Sequence, residues 1–178
     1  MVEVNSQAIP EALILMGSAS DWKHLRGAVE VLEGLGVSFE VHVSSAHRTP
    51  ARTVDLVKTA EAGGCRVFIC AAGMAAHLAG VVAAHTVRPV LGVPLPGGVL
   101  DGVDALLSTV QMPGGIPVAT FAVGSAGARN AAFFAAQIIA GDRPEVGAAL
   151  KDARRVGGEK IAVADREIDT ELKAGKDS

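Results

Sequence analysis

Five short apolar runs recur along the chain, each followed by a polar or glycine-bearing turn and then by helical periodicity. The first, Ala12–Met16, is apolar throughout and ends at Gly17, the pattern of a strand buried on both faces. A helix is predicted from Trp22 to Leu35, stopped by Gly36, with Ser20 or Asp21 as its N-cap. Residues 38–43 (SFEVHV) alternate, with Phe39, Val41 and Val43 on one side and Glu40 and His42 on the other, which predicts a half-exposed edge strand. Pro50 suits the first turn of a helix that runs to Ala62 and ends at Gly63-Gly64. Arg66–Ala71 is a third strand, and Ala72 to Ala75 turn into a helix that contains His77 and ends near His85. Val90–Val93 is a fourth strand, Pro94 to Gly98 a loop, and Val103–Thr109 a short helix. Val118–Val123 is a fifth strand and Ala126–Ala140 a helix. Beyond Gly141 charge clusters, helical periodicity returns over Glu145–Arg155, and the polar end is expected to fray.

Strand and helix therefore alternate five times in about 130 residues, which predicts an α/β fold: three layers (αβα) around a doubly wound, parallel, five-stranded sheet. Strands one and three are apolar on both sides while strand two alternates. That places strand two at an edge beside strand one, as in the flavodoxin-like order 2-1-3-4-5, although a Rossmann order tolerates the same pattern. Residues 1–178 read as a single domain, with a core over 12–140 and a C-terminal helix and polar tail over 141–178. The helix Ala126–Ala140 carries only Arg129, Asn130 and Gln137 as polar side chains. Helices that are apolar nearly all round bury themselves against something, here another subunit or the chain's own tail.

Composition changes this picture little. The chain is 49% hydrophobic with net charge −3, a pI of about 5.9 and a mean hydropathy of +0.37. No long basic run supports binding to a nucleic-acid backbone. Cys65 and Cys70 are too few for a disulfide framework or a thiolate metal site. Met1 to Pro10 lack the basic start and apolar core of a signal peptide, so a cytoplasmic protein is expected. Residues 67–84 are long and apolar enough to raise a membrane span, but the strand-like start, Gly73 and the Ala-rich second half fit a buried strand, turn and helix better.

In a doubly wound sheet ligands bind beyond the carboxyl ends of the strands. Three stretches fall there: Gly17 to Asp21, Ser44 to Thr49, and Ala72 to His77. Each opens a helix and so offers unpaired N–H groups to an anion such as phosphate. Ser18 and Ser45 can donate hydroxyl hydrogens, and Arg48 can grip phosphate through two N–H groups. Asp21 cannot bind phosphate and more naturally accepts from sugar hydroxyls, although Ser20 and Asp21 are equally plain capping residues. His77 on an apolar helix has an ordinary reading as a core histidine, whereas His47 lies in a loop beside Arg48 and two serines at the ligand end. An imidazole there suits proton transfer at carbon or nitrogen. No metal-ligand spacing, ATP-binding phosphate loop, nucleophile elbow or dinucleotide fingerprint occurs.

Four motifs together, Met16-Gly17-Ser18-x-Ser20-Asp21, Ser44 to Pro50 (SSAHRTP), Ala75-Ala76-His77-Leu78 and Ser108 to Val118 (STVQMPGGIPV), resemble the N5-carboxyaminoimidazole ribonucleotide mutase family of bacterial purine synthesis. The resemblance covers about residues 12 to 140 in order. It implies a flavodoxin-like homo-octamer without cofactor or metal, acting on a small ribonucleotide. It implies conversion of N5-carboxyaminoimidazole ribonucleotide to 4-carboxy-5-aminoimidazole ribonucleotide, through trapped CO2 that ring carbon four attacks. On this match His47 moves the proton, Ser18, Ser45 and Arg48 contact phosphate, and Asp21 contacts ribose. Gly73, His77 and Leu78 match the loop around the carboxylate and CO2, and Ala46, Ala72 and Met74 complete the substrate-binding set. Animal-type relatives instead carboxylate aminoimidazole ribonucleotide directly; the Ala-Ala-His-Leu stretch resembles the mutase form more. A non-catalytic nucleotide-binding paralogue is the remaining alternative. Met74, Ala79 and the loop Pro94 to Val99 depart from the mutase pattern, where Gly, Pro and a polar loop are usual.

Overall fold

The computed structural model describes residues 10–174; the expectation for the N-terminal segment and the last residues of the tail lie outside that range. The sheet has the order β2-β1-β3-β4-β5, with every pairing parallel. β1 (Ala12–Met16) lies between β2 (Phe39–Val43) and β3 (Val67–Gly73), with Ile14 opposite Val41 of the first and Ile69 of the second. β4 (Val90–Leu95) and β5 (Ala119–Thr120) complete it. β1 is buried throughout while no residue of β2 is fully buried, as at a sheet edge; the expected alternation stops short of its end, where His42 is half-buried and Val43 exposed.

Side chains alternate cleanly across the sheet. Ile14, Ile69, Ala71, Leu91 and Val93 face a core formed with α1 (Trp22–Gly34), α5 (Ser125–Ile139) and the start of α6 (Pro144–Ala174). Leu13, Leu15, Phe68 and Cys70 face a second core with α2 (Pro50–Ala62) and α3 (Leu78–Ala83). α4 (Val103–Val110) packs on this second side, against Gly92 of β4. A Cβ at Gly92 would stand 2.4 Å from Thr109 Cγ2, so only glycine lets the helix approach that closely.

Several expected elements shift, and β3 runs on through Ala72 to Gly73, residues expected in the turn. α3 begins at Leu78, not Ala75, because two tight turns (Ala76 N–H to Met74 C=O and His77 N–H to Ala75 C=O, both 2.9 Å) consume the preceding residues. His77 thus precedes the helix instead of lying within it. β4 runs on through Pro94 and Leu95. Pro94 C=O accepts from Gly124 N–H, so its donor-less nitrogen faces the β5 side, where the regular ladder has already ended. β5 is two residues long, because the chain turns away to reach the left-handed Gly124 at φ 82°. The last helix, expected over Glu145–Arg155, continues to Ala174, and its residues 157–173 are exposed.

α5 is buried along Ala128, Ala131, Ala132, Ala135 and Ala136, chiefly against α1, the sheet and α6. The chain's own helices therefore cover much of the face that the sequence left open to a subunit. Arg143 anchors α6 by donating to Glu11 at 2.6 Å, to Glu145 at 2.7 Å and to Gly36 C=O at 3.3 Å. Among the described residues no helix is long and apolar enough to cross a membrane.

Candidate active site

Three loops leave the carboxyl ends of β1, β2 and β3. Because β1 lies between the other two, their loops converge above it. After β1, Ser18 adopts an extended backbone (φ −150°) and caps the 3-10 turn Ala19–Asp21. Ser20 N–H and its hydroxyl donate to Ser18 Oγ at 3.4 and 2.9 Å, and Ser18 N–H donates to Asp21 Oδ2 at 2.9 Å. This reciprocal box, in which Ser18 caps the 3-10 turn, holds both polar groups at the cavity wall, while Asp21 stands at the N-cap position of α1 as expected but makes no side-chain cap there. Burial raises the Asp21 carboxyl above its ordinary range, and the Ser18 N–H, the Ser20 hydroxyl, His24 and Arg48 only partly offset it.

After β2, Ser44 is buried and bonded to Thr53 at 2.8 Å, a structural contact. Thr49 closes the turn, accepting from Ser45 N–H at 3.0 Å and donating to Ser45 C=O at 3.1 Å. Arg48 reaches across to β1, donating from Nη2 to Gly17 C=O at 3.1 Å, while its N–H donates to Ser45 Oγ at 3.3 Å. A guanidinium, a serine hydroxyl and the Ser18–Asp21 turn are thereby held at one end of the site.

At the other end, His47 Nε2 lies 2.8 Å from His77 Nδ1, with the rings edge to face at 82° and centroids 4.9 Å apart. One facing nitrogen must carry the hydrogen and the other the lone pair. The pair can therefore hold a single proton between two bases, an arrangement suited to taking a proton from one atom and returning it to another. The sequence supplied both residues but not their contact; only the strand order 2-1-3, which brings the second and third loops together, could have pointed to it.

Every sequence-predicted site residue lines one cavity of about 560 Å3: Ser18, Asp21, Ser45, Ala46, His47, Arg48, Ala72, Gly73, Met74, His77 and Leu78. Gly17, Ser20 and Ala75 join them, as do Pro96, Gly97 and Gly98 from the loop after β4. The last three carry no reactive group, so nothing in their chemistry marked them individually. A second cavity, about 690 Å3, opens near the start of β4 between Glu61, His85, Arg88 and Ile116. Arg88 and Glu61 there stand 3.9 Å apart, and no second imidazole or hydroxyl cluster meets them as at the first cavity. No group of three or more His, Cys, Asp or Glu residues suited to a metal ion occurs among the described residues.

Comparison with known proteins adds a second line of support. The family model described as AIR carboxylase matches residues 11–160. A Brucella melitensis protein named N5-carboxyaminoimidazole ribonucleotide mutase is 49% identical over 152 residues, covering 85% of this chain and 94% of its own length. The Escherichia coli protein of the same name is 49% identical over 148 residues, covering 83% and 88%. The crystal structure of Treponema denticola PurE superposes with a TM-score of 0.80 at 29% identity, covering 89% of this chain and 98% of that one.

Proposed function

Because this chain belongs to the AIR carboxylase family, we propose that it is an isomerase of purine biosynthesis that converts N5-carboxyaminoimidazole ribonucleotide to 4-carboxy-5-aminoimidazole ribonucleotide. The observation that carries the mechanism is the 2.8 Å His47–His77 contact at one end of a cavity whose other end gathers Ser18, Ser45 and Arg48. The nucleotide phosphate sits against Arg48 and the two serines, where charge-assisted hydrogen bonds are strongest. Asp21 accepts from a ribose hydroxyl. The imidazole ring then lies toward the histidines.

The chemistry balances with one moving proton. The bond between the exocyclic nitrogen and its carboxylate breaks, the electron pair returns to nitrogen, and CO2 is released in place as that nitrogen gains a proton from the His47–His77 pair, which the later step at ring carbon four replaces. Ring carbon four attacks the CO2, forming the carbon–carbon bond. His47 removes the hydrogen from that carbon, restoring the aromatic ring. The rearrangement is redox-neutral overall, ring carbon four rising by the one oxidation level that the carboxyl carbon loses, so it calls for no external electron carrier. His77, bonded to His47, keeps that ring oriented and shares its proton.

The test supplies N5-carboxyaminoimidazole ribonucleotide without bicarbonate, and separately aminoimidazole ribonucleotide with it. Product from the first substrate, abolished by His47→Asn, supports the mutase. Turnover only of the second substrate makes the protein a direct carboxylase instead; nucleotide binding without turnover makes it a non-catalytic paralogue.

We also propose a cytoplasmic homo-octamer, with no nucleic-acid or membrane partner. Leu100, Val103, Leu107 and Val110 form an exposed apolar row on and before α4, each at least 47% exposed in the single chain. Ile161, Ile168 and Leu172 extend another along α6. Such faces favour contact with further copies. Sedimentation at micromolar concentration should show an octamer of the 18.1 kDa chain; a monomer overturns that reading.

A further inference from the structure

The amino end of a helix is partly positive, so acidic side chains in its first turn stabilise it and cations there oppose it. α4 opens with Asp104 and α6 with Glu145, as stability favours. α1 and α2 break the rule: neither has an acidic residue in its first turn. Lys23 stands there in α1 and Arg52 in α2, both exposed. Neither joins an ion pair among the described residues, and Asp55, one turn beyond Arg52, does not reach it. These two helices are the ones that leave the phosphate end of the site, α1 after the Ser18–Asp21 turn and α2 after Ser45 and Arg48. Lys23 and Arg52 stand outside the cavity lining. On the β4 side the sign reverses: a Cβ on Gly98, in the cavity wall, would come within 3.2 Å of Asp104 Oδ2.

We propose, on the mutase reading above, that Lys23 and Arg52 are positioning residues that act at a distance: with Asp104 opposite, they draw the ribonucleotide in phosphate first and deliver it to Arg48. The phosphate is the most highly charged group of that substrate, so a mouth positive beside β1 and β2 and negative beside β4 favours one direction of entry. Such a field acts before contact. It raises capture, leaves the chemical step alone, and is screened by salt. It also accounts for the two cations standing against the helix dipoles, where acidic residues would make both helices more stable.

The experiment compares the full-length wild type with the double variant Lys23→Glu/Arg52→Glu, using N5-carboxyaminoimidazole ribonucleotide as substrate at about 10 mM and about 500 mM salt. At the lower salt the variant loses about fivefold or more in kcat/KM while kcat stays within about twofold. At the higher salt the two proteins agree within about twofold. Tm of the variant equals or exceeds that of wild type, because each glutamate now favours its helix end. A purely structural role predicts the reverse, a lower Tm and the same loss at both salt concentrations. An unchanged kcat/KM at the lower salt, or a loss that persists at the higher, overturns the capture role and leaves the mutase reading standing. The affinity of both proteins for ribose 5-phosphate is measured by calorimetry at the same two salt concentrations. If the wild type does not convert the substrate, the mutase reading falls, and the salt dependence of that affinity alone decides the capture role.

Discussion

Removing the His77 ring, as in His77→Ala, should slow turnover more than it weakens nucleotide binding. His77 Nδ1 is 2.8 Å from His47 Nε2, and both rings are exposed in the single chain. When His47 takes the proton from ring carbon four it becomes a cation, and its bond to His77 changes from neutral to charge-assisted. The difference between those two kinds of bond is about 1 kcal/mol, taken at the low end because solvent reaches the pair. Only this difference acts on the chemical step, so kcat should fall about fivefold, with a smaller change in KM. Nδ1 being the contacting atom, asparagine places a polar atom close to the same point. His77→Asn should therefore recover part of the loss. The assay is steady-state turnover of N5-carboxyaminoimidazole ribonucleotide across a pH series for wild type and both variants. The reasoning is refuted if His77→Ala leaves kcat within twofold of wild type, or if alanine and asparagine behave alike.

Two further outcomes follow from the carboxylates. Burial alone would raise the Glu11 carboxyl, but donation from Arg143 and from the Ser38 N–H and hydroxyl outweighs it and holds the group below its ordinary value. Stability from this clamp is present above the unfolded-state pKa and lost as pH falls through the folded one, so Tm should drop as pH falls from about 5 to 3. Glu11→Gln should flatten that segment of the curve; parallel curves would disprove the assignment. Asp21 has the opposite sign, since burial raises its folded-state pKa and stability is lost as pH rises through that value. Asp21→Asn should raise Tm slightly at pH 7 while weakening nucleotide affinity about tenfold, because the ribose bond is no longer charge-assisted. Calorimetry paired with titration would show both effects, and a variant that loses Tm and keeps affinity contradicts the role.

Elements bounded by strong punctuation were legible from sequence. Gly17 ends β1 where expected, and Pro50 with Gly63 brackets α2. The region after β3 was harder. An alanine-rich run reads as helix, yet the left-handed Met74 and two tight turns displace the helix start to Leu78. The apolar periodicity over Glu145–Arg155 similarly gave out before α6 does, and the helix runs on through Gly157 and Gly158. Charge pairs, Arg155 with Glu159 across these glycines at 2.6 Å and Lys173 with Asp169 beyond them at 2.6 Å, accompany a helix that continues regardless. The site's membership followed from fold logic and family resemblance, because residues beyond strand ends must gather there. The histidine contact is a tertiary distance between loops 30 positions apart, which no local pattern encodes.

The clamp at Glu11 bears on how the chain is made. Its partner Arg143 lies 132 residues further along, and α1 finds its packing face on α5. A ribosome that has released only the first four strands therefore holds a chain in which one of the two cores on β1 has α1 but still lacks α5 and the start of α6. Folding of this half must wait until α5 and the start of α6 have left the exit tunnel. During that interval the apolar residues of β1 and α1 are exposed to chaperones, and a slow-translating stretch before position 143 would lengthen their exposure.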